Sequence, residues 1–297
     1  MRSEPPFDPI ARAARIAARP VVLEARGLGK TYPGAKGRVP ALSGIDLAIR
    51  RREFVTVVGP SGSGKSTLAR ILAGLDEHDS GEVLVDGHPV RGPGRDRGMV
   101  FQAYSLFPWL TVMGNVMTGP RFAGNGRDAA RSIALQYLEL VGLEHLADRW
   151  PHQLSGGQRQ RVAIARALAN EPRVLLMDEP FGALDPHTRA TLQGNLIDLW
   201  FNIPITIIFI THDLDEAVLL ADRIVVLGGP DADHAGGWLR ETITVPLPVP
   251  RTPDVVLSPE FRAVRERLDS LIHPAEPPRP RERIPVYRLA AAGDDVR

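Results

Sequence analysis

Gly59-Pro60-Ser61-Gly62-Ser63-Gly64-Lys65-Ser66-Thr67 follows the apolar run Phe54 to Val58 and leads into a helical segment, Lys65 to Ala73. A glycine-rich turn between a strand and a helix forms a phosphate cradle. The glycines let successive backbone N–H groups turn inward on a polyphosphate, and the helix N-terminus adds its dipole. Lys65 then reaches the outer phosphates and the hydroxyl of Ser66 can ligate Mg²⁺. The lysine stands out because 33 of the 36 basic residues are arginine, yet this position carries a compact ammonium.

Well after the cradle, the apolar runs Val174 to Met177, Ile205 to Ile210 and Arg223 to Leu227 alternate with helical segments, as in a parallel sheet covered on both faces. The fold class is therefore α/β, a P-loop NTPase core with a mostly parallel sheet. Val21 to Ala25 and Ile45 to Ile49 read as strands around a turn-rich stretch, Tyr32 to Pro40, and suggest an antiparallel β layer ahead of the cradle. Short strands are expected at Glu82 to Val85 and Gly98 to Phe101. From about 108 to 169 the pattern turns helical, with Ile133, Tyr137, Leu138 and Val141 on one face, and marks a helical subdomain inserted between strands.

The organisation expected is a disordered tail over 1–19, one nucleotide-binding domain over 20–245 and a C-terminal extension over 246–297. That extension holds ten of the 27 prolines and a short helix at about 259–272, begun by Ser258-Pro259. Arg12, Arg15 and Arg19 lie among alanines, but Glu4, Asp8 and nearby prolines interrupt any signal-peptide core. The most apolar short run, Ile203 to Ile210, is far below the ~20 residues that span a bilayer. A net charge of +1 gives no global attraction to nucleic acid, and none is expected as a partner. With no cysteine, disulfides, thiolate metal sites and thiol nucleophiles are excluded.

Two further constellations carry chemistry. Asp178 and Glu179 close the strand Val174 to Met177, at the strand end where open α/β sheets bind ligands. Asp178 would hold Mg²⁺ opposite Ser66, and Glu179 would orient or deprotonate the water attacking a terminal phosphate. His212, after Ile205 to Ile210, lies at another strand end and could hydrogen-bond the same phosphate. Leu154-Ser155-Gly156-Gly157-Gln158 opens a helix and is a second anion site, since its small residues leave N–H groups accessible. One chain thus has one cradle and two phosphate-binding turns, so the second turn can face a nucleotide held by another copy across a two-fold axis.

The order of these pieces resembles the ATP-binding subunits of ABC transporters, over about Val21 to Val245. The resemblance implies that Tyr32 stacks on adenine and that Gly59 to Thr67 is the Walker A loop. It also implies that Gln102 senses Mg²⁺ and γ-phosphate, that Ser155 to Gln158 belong to the LSGGQ signature, that Asp185 crosses a dimer interface and that His212 is the switch. Glu179, Gln102 and His212 are then the catalytic group, with Ser66, Gln102 and Asp178 at the metal. Gly182 departs from the serine common in the family. The same resemblance implies ATP and Mg²⁺ as ligands, an ATP-dependent homodimer and a separate transmembrane permease. A solute-binding protein would be met only indirectly, and the subunit would lie on the cytoplasmic face of the inner membrane.

Pro108-Trp109, Arg95 to Gly98, Thr211 to Ala217 and Ser258 to His273 resemble importers of nitrate, sulfonate or taurine. In Gln102 to Leu110, Trp109 either grips a helix of the permease or fills the subdomain core. The alternative, a soluble ABC-type ATPase acting on ribosomes or DNA, predicts tandem ATPase domains, long coiled coils or zinc cysteines. None occurs in this sequence.

Overall fold

A computed structural model describes residues 8–273 apart from 36, 250 and 252. The expected tail and extension lie partly outside these residues, over 1–7 and 274–297. The tail expected to be disordered instead holds a helix, α1 (Pro9–Ala17): Asp8 caps it by accepting from the backbone N–H groups of Ile10 and Ala11, Ile16 is buried and Arg12 pairs with Asp222.

Two long strands come next, β1 (Val21–Gly34) and β2 (Gly37–Arg50), paired as an antiparallel hairpin. The stretch read as a turn-rich connection is mostly strand. Thr31 to Gly34 pair in regular register with Pro40 to Gly37; the two prolines are tolerated because β2 is an edge strand and β1 has no second partner beyond Gly29, while the four register shifts lie earlier, between Val21 and Thr31. Beyond the hairpin lie β3 (Phe54–Val58), α2 (Lys65–Leu72), β4 (Ser80–Val85), β5 (His88–Pro89) and β6 (Arg97–Val100). Strands β2-β1-β4-β5 form the four-stranded antiparallel layer.

The helical subdomain contains α3 (Val112–Phe122), α4 (Arg127–Leu140) and α5 (Gly156–Leu168). Its own core includes Val112, Val116, Leu138 and Val162. The chain then returns through β7 (Val174–Asp178), α6 (Pro186–Asn202), β8 (Thr206–Ile210), α7 (Leu214–Leu220), β9 (Arg223–Gly228) and β10 (Trp238–Thr244), and reaches α8 (Pro259–Ile272). Phe261, Val264, Leu268 and Leu271 of α8 are buried in the cluster that includes Ala217 and Val218 of α7.

The second sheet runs β10-β9-β3-β8-β7-β6, all parallel except β10. Every residue of β3 and β8 is buried, which explains why these strands are unbroken apolar runs rather than alternating ones. β10 went unread in the sequence. Its pattern Trp-Leu-Arg-Glu-Thr-Ile-Thr is that of a half-exposed edge strand whose charges guard the sheet margin.

The parallel sheet decides where the chemistry gathers. β3, β8, β7 and β6 are neighbours pointing the same way, so the residues after their last positions emerge side by side at one edge. Those residues are the glycine-rich turn, Thr211-His212, Asp178-Glu179 and Gln102.

Candidate nucleotide-binding and hydrolysis site

The cradle is shaped by close approach as much as by flexibility. Gly64 is the N-cap of α2 with φ of 80°, and a Cβ there would lie 2.6 Å from the Ala41 carbonyl oxygen of β2. Only glycine combines that left-handed backbone with that contact. No side chain caps α2, so its first N–H groups are left for a ligand. Lys65 Nζ donates to the carbonyl oxygens of Gly59 and Pro60, both at 2.9 Å. Burial lowers its pKa, opposed by the charges of Glu179 and Asp178.

Ser66 Oγ donates to Asp178 Oδ1 at 3.2 Å, which joins the cradle helix to the tip of β7. Burial raises the Asp178 pKa; Glu179 adds repulsion, while the hydrogen bond from Ser66 and the charges of Lys65 and Arg70 oppose the shift. This pair of hard oxygen donors suits Mg²⁺, which takes few protein ligands and completes its octahedron with phosphate oxygens and water. No cluster of three or more His, Cys, Asp or Glu able to hold a metal occurs among the described residues, as that incomplete donor set would lead one to expect.

Two side chains converge on one carboxylate. Glu179 Oε2 accepts from Gln102 Nε2 at 3.3 Å and lies 3.2 Å from His212 Nδ1. Glu179 has a positive φ of 45°, and its N–H donates to the carbonyl of Ile210 at the end of β8. A glutamate in the left-handed region is a strained placement, and such strain collects at functional sites. Gly182 lies nearby, where a Cβ would be 3.6 Å from Gln102 Nε2, an ordinary contact. A serine would fit there, so the departure from the family pattern leaves the turn unchanged.

The loop carrying His212 is held by a group the sequence reading missed. Glu216 is buried on α7 and accepts from Thr211 Oγ1 at 2.6 Å and from Gln193 Nε2 at 3.0 Å. Thr211 Oγ1 in turn accepts from the Asp213 N–H, so the network fixes both neighbours of His212. The available signal was an acid in the first turn of a helix that starts directly after the strand-end histidine. Tyr32 is likewise tied down: its hydroxyl donates to Asp76 Oδ2, and Asp76 accepts two bonds from Arg70 of α2.

Ser155 to Gln158 stand apart from this cluster. Among the described residues, no side-chain hydrogen bond joins them to Gly59–Thr67. Ser155 caps α5 through a reciprocal box, its hydroxyl accepting from the Gln158 N–H and its own N–H donating to Gln158 Oε1. At Gly157 a Cβ would lie 2.5 Å from Thr188 Cγ2, so α5 presses directly on α6. Asp185 caps α6, accepting from Thr188 N–H at 3.0 Å. The signature turn and Asp185 therefore share one packed corner.

Trp109 is 68% exposed and lies against Phe107 with ring centroids 5.5 Å apart, which rules out the subdomain-core placement. Its loop is pinned by Asn115, a fully buried side chain whose Nδ2 donates to the carbonyls of Phe107, Leu110 and Thr111 and whose Oδ1 accepts from Phe107 N–H. Beside the loop is an open groove of about 560 Å³ whose lining includes Phe101, Phe107, Phe122 and Arg166. Phe122 is 90% exposed.

The combination of parallel core, antiparallel layer, helical insertion and cradle defines an ABC-type ATPase. Residues 42–182 match the family model described as ABC transporter. The chain is 47% identical over 259 residues to the nitrate import ATP-binding protein NrtD of Synechocystis, covering 86% of this chain and 96% of that one. It is 52% identical over 237 residues to a putative ATP-binding protein of Brucella abortus, covering 80% and 89%. The ATP-binding cassette MJ0796, solved as a dimer in a post-hydrolysis state bound to ADP and Pi, is 36% identical with a TM-score of 0.65, covering 75% of this chain and 98% of that one. The chain belongs to the ABC transporter ATP-binding family and is an ATPase.

Proposed function

We propose that the protein powers import of a small oxyanion by hydrolysing ATP at the cytoplasmic face of the membrane, beneath a separate transmembrane permease. The observation that carries the reading is the 47% identity to a nitrate import ATP-binding protein across nearly its whole length. A bicarbonate transport ATP-binding protein of Synechococcus elongatus, 45% identical over 242 residues and 36% covered, points to the same class of cargo. Nitrate is the first solute to test, with sulfonates and taurine beside it. No helix among the described residues is long and apolar enough to cross a membrane, which fits a subunit that hands its motion to a partner.

In this reading the free N–H groups of α2 bind the phosphates, and Lys65 exchanges its two loop carbonyls for phosphate oxygens. Ser66 and Asp178 hold Mg²⁺, with Gln102 at its edge; bound there, the ion would neutralise charge on the outer phosphates. Tyr32 stacks on adenine. Glu179 accepts the proton of the attacking water, while Gln102 and His212 fix its orientation. Ser155 to Gln158 and Asp185 of a second copy close over the nucleotide, and the groove beside Phe107 takes a short helix of the permease.

Uptake tests the cargo. Cells lacking the gene should lose uptake of labelled nitrate, alkanesulfonate or taurine and regain it on complementation; unchanged uptake of all three rejects the oxyanion assignment. Trp109→Ala should keep basal ATPase of the isolated subunit within about twofold and the melting temperature nearly unchanged, because an exposed ring contributes little to stability. In the assembled transporter the same variant should uncouple hydrolysis from uptake.

A further inference from the structure

A second pocket, of about 320 Å³, lies away from the strand ends that form the nucleotide site, lined by Arg12, Arg19, Arg52, Trp200, Phe201 and Val249. Three separated parts of the chain build it: α1 and the segment just after it, the turn between β2 and β3, and the end of α6. Val249, beyond β10, completes the wall.

The charges do not cancel. Arg12 Nη2 donates to the buried Asp222 carboxylate at 2.5 Å. Arg19 Nη1 donates to the carbonyls of Arg51 and Arg52. Arg52 has no side-chain hydrogen bond or ion pair among the described residues. The other nearby acid, Glu53, is paired with Arg223. Three guanidiniums therefore face one carboxylate and the C-terminus of α6, worth about half a negative charge. Roughly one and a half positive charges remain. Burial lowers the pKa of Arg19; Asp222 opposes the shift most, Arg12 and Arg52 add to it, and Glu53 opposes it.

Two features of the pocket's own residues stand out. Arg52 has a positive φ of 56°, a conformation glycine or asparagine would adopt at less cost, and its N–H is held by Thr206 Oγ1 at 2.9 Å. Trp200 is 9% exposed, and its indole N–H is buried without an acceptor. Such an orphan donor is uncommon in a folded interior. The Trp200 ring faces Arg12 at 6.0 Å, and the neighbouring Phe201 is 55% exposed. The pocket thus sets cations against aromatic surface. Its volume is at the small end of the range for organic ligands and far exceeds what a bare inorganic ion fills.

We propose that this pocket binds a small organic anion carrying an aromatic ring, its acidic group among Arg12, Arg19 and Arg52 and its ring against Phe201 and Trp200. The occupant would bridge α1 to α6, the helix capped at its other end by Asp185.

The test uses the full chain with its nucleotide site saturated by the magnesium complex of a non-hydrolysable ATP analogue, whose γ-phosphate position is filled so that added phosphate cannot report on the cradle. Phenyl phosphate and benzoate are titrated calorimetrically beside inorganic phosphate, phenol and vesicles containing phosphatidylglycerol. Phenyl phosphate should bind, and inorganic phosphate and phenol should each bind at least about tenfold more weakly, since each lacks half of the recognition. Arg52→Gln and Phe201→Ser alter exposed side chains and should fold; each should weaken phenyl phosphate by about tenfold, the scale of one charge-assisted contact. Absence of binding, indifference to both variants, equal binding of inorganic phosphate, or a preference for the vesicles would each overturn the proposal.

Discussion

Two helix N-termini in this molecule carry phosphate-binding sequences, and they are left in opposite states. At α2 the N-cap is Gly64, no side chain occupies the first turn's donors, and Lys65 rests on two loop carbonyls it can leave. At α5 two of the donors are already taken, Gln158 N–H by the Ser155 hydroxyl and Ser155 N–H by the Gln158 amide, which leaves the Gly156 and Gly157 N–H groups. An open helix terminus binds an anion outright. A self-capped one gains only the difference between the anion and its own cap, which is small in an exposed position. Under the proposed two-copy arrangement, intrinsic nucleotide affinity would reside in the cradle, and the signature turn would add to it only where a second copy has already fixed a phosphate in front of it.

The largest effect should come on the cradle side. Glu179→Gln should keep ATP bound but lower steady-state turnover by about a thousandfold, since the amide preserves shape and cannot accept a proton. Phosphate release at near-normal rate would remove Glu179 from the role of base. Ser155→Arg tests the other terminus. Placed in the Glu179→Gln background, it should abolish the ATP-dependent dimer seen by light scattering and leave monomer affinity for ATP unaltered. A dimer that survives the double substitution would falsify the two-copy arrangement. Lys65→Ala should weaken nucleotide binding to the monomer by about 10- to 100-fold, the loss of one or two hydrogen bonds to a charged group. Equal losses of monomer affinity from Lys65→Ala and Ser155→Arg would erase the asymmetry between the two sites.

How far each region was legible depends on whether its information is local. The cradle, Asp178-Glu179 and the signature turn were readable because each packs its chemistry into a few consecutive residues around one helix or strand end. The buried strands β3, β7, β8 and β9 were readable for the same reason: burial on both faces leaves an uninterrupted apolar run. What was missed depends on distant partners. The tip of the β1–β2 hairpin reads as turns because Pro33, Gly34, Gly37 and Pro40 break local strand preference, and only pairing with the opposite strand at the open edge of the sheet keeps them extended. Asn115 and Glu216 look like ordinary polar helix residues. One is buried by a loop that needs its amide, the other by a threonine and a glutamine from separate elements. The arginine pocket is invisible for a stronger reason, since its charged residues are 40 positions apart and its aromatic wall comes from α6.

The smallest effect distinguishes self-capping from direct ligation at α5. Gln158→Ala removes the acceptor for Ser155 N–H, so the isolated protein should lose about 0.5–1 kcal/mol of stability, as expected for half of an exposed capping box. If Gln158 serves chiefly to cap, the freed Ser155 N–H becomes available to a phosphate. The ATP-dependent dimer of the Glu179→Gln background should then form as well as before, or at lower protein concentration. If the Gln158 amide itself contacts nucleotide from the second copy, the same substitution should weaken the dimer by about tenfold or more. Thermal unfolding and light scattering on one preparation separate these outcomes. A destabilised monomer with an undiminished dimer would place the closing interaction on Ser155 and the glycine N–H groups, and a stable monomer with a lost dimer would place it on Gln158.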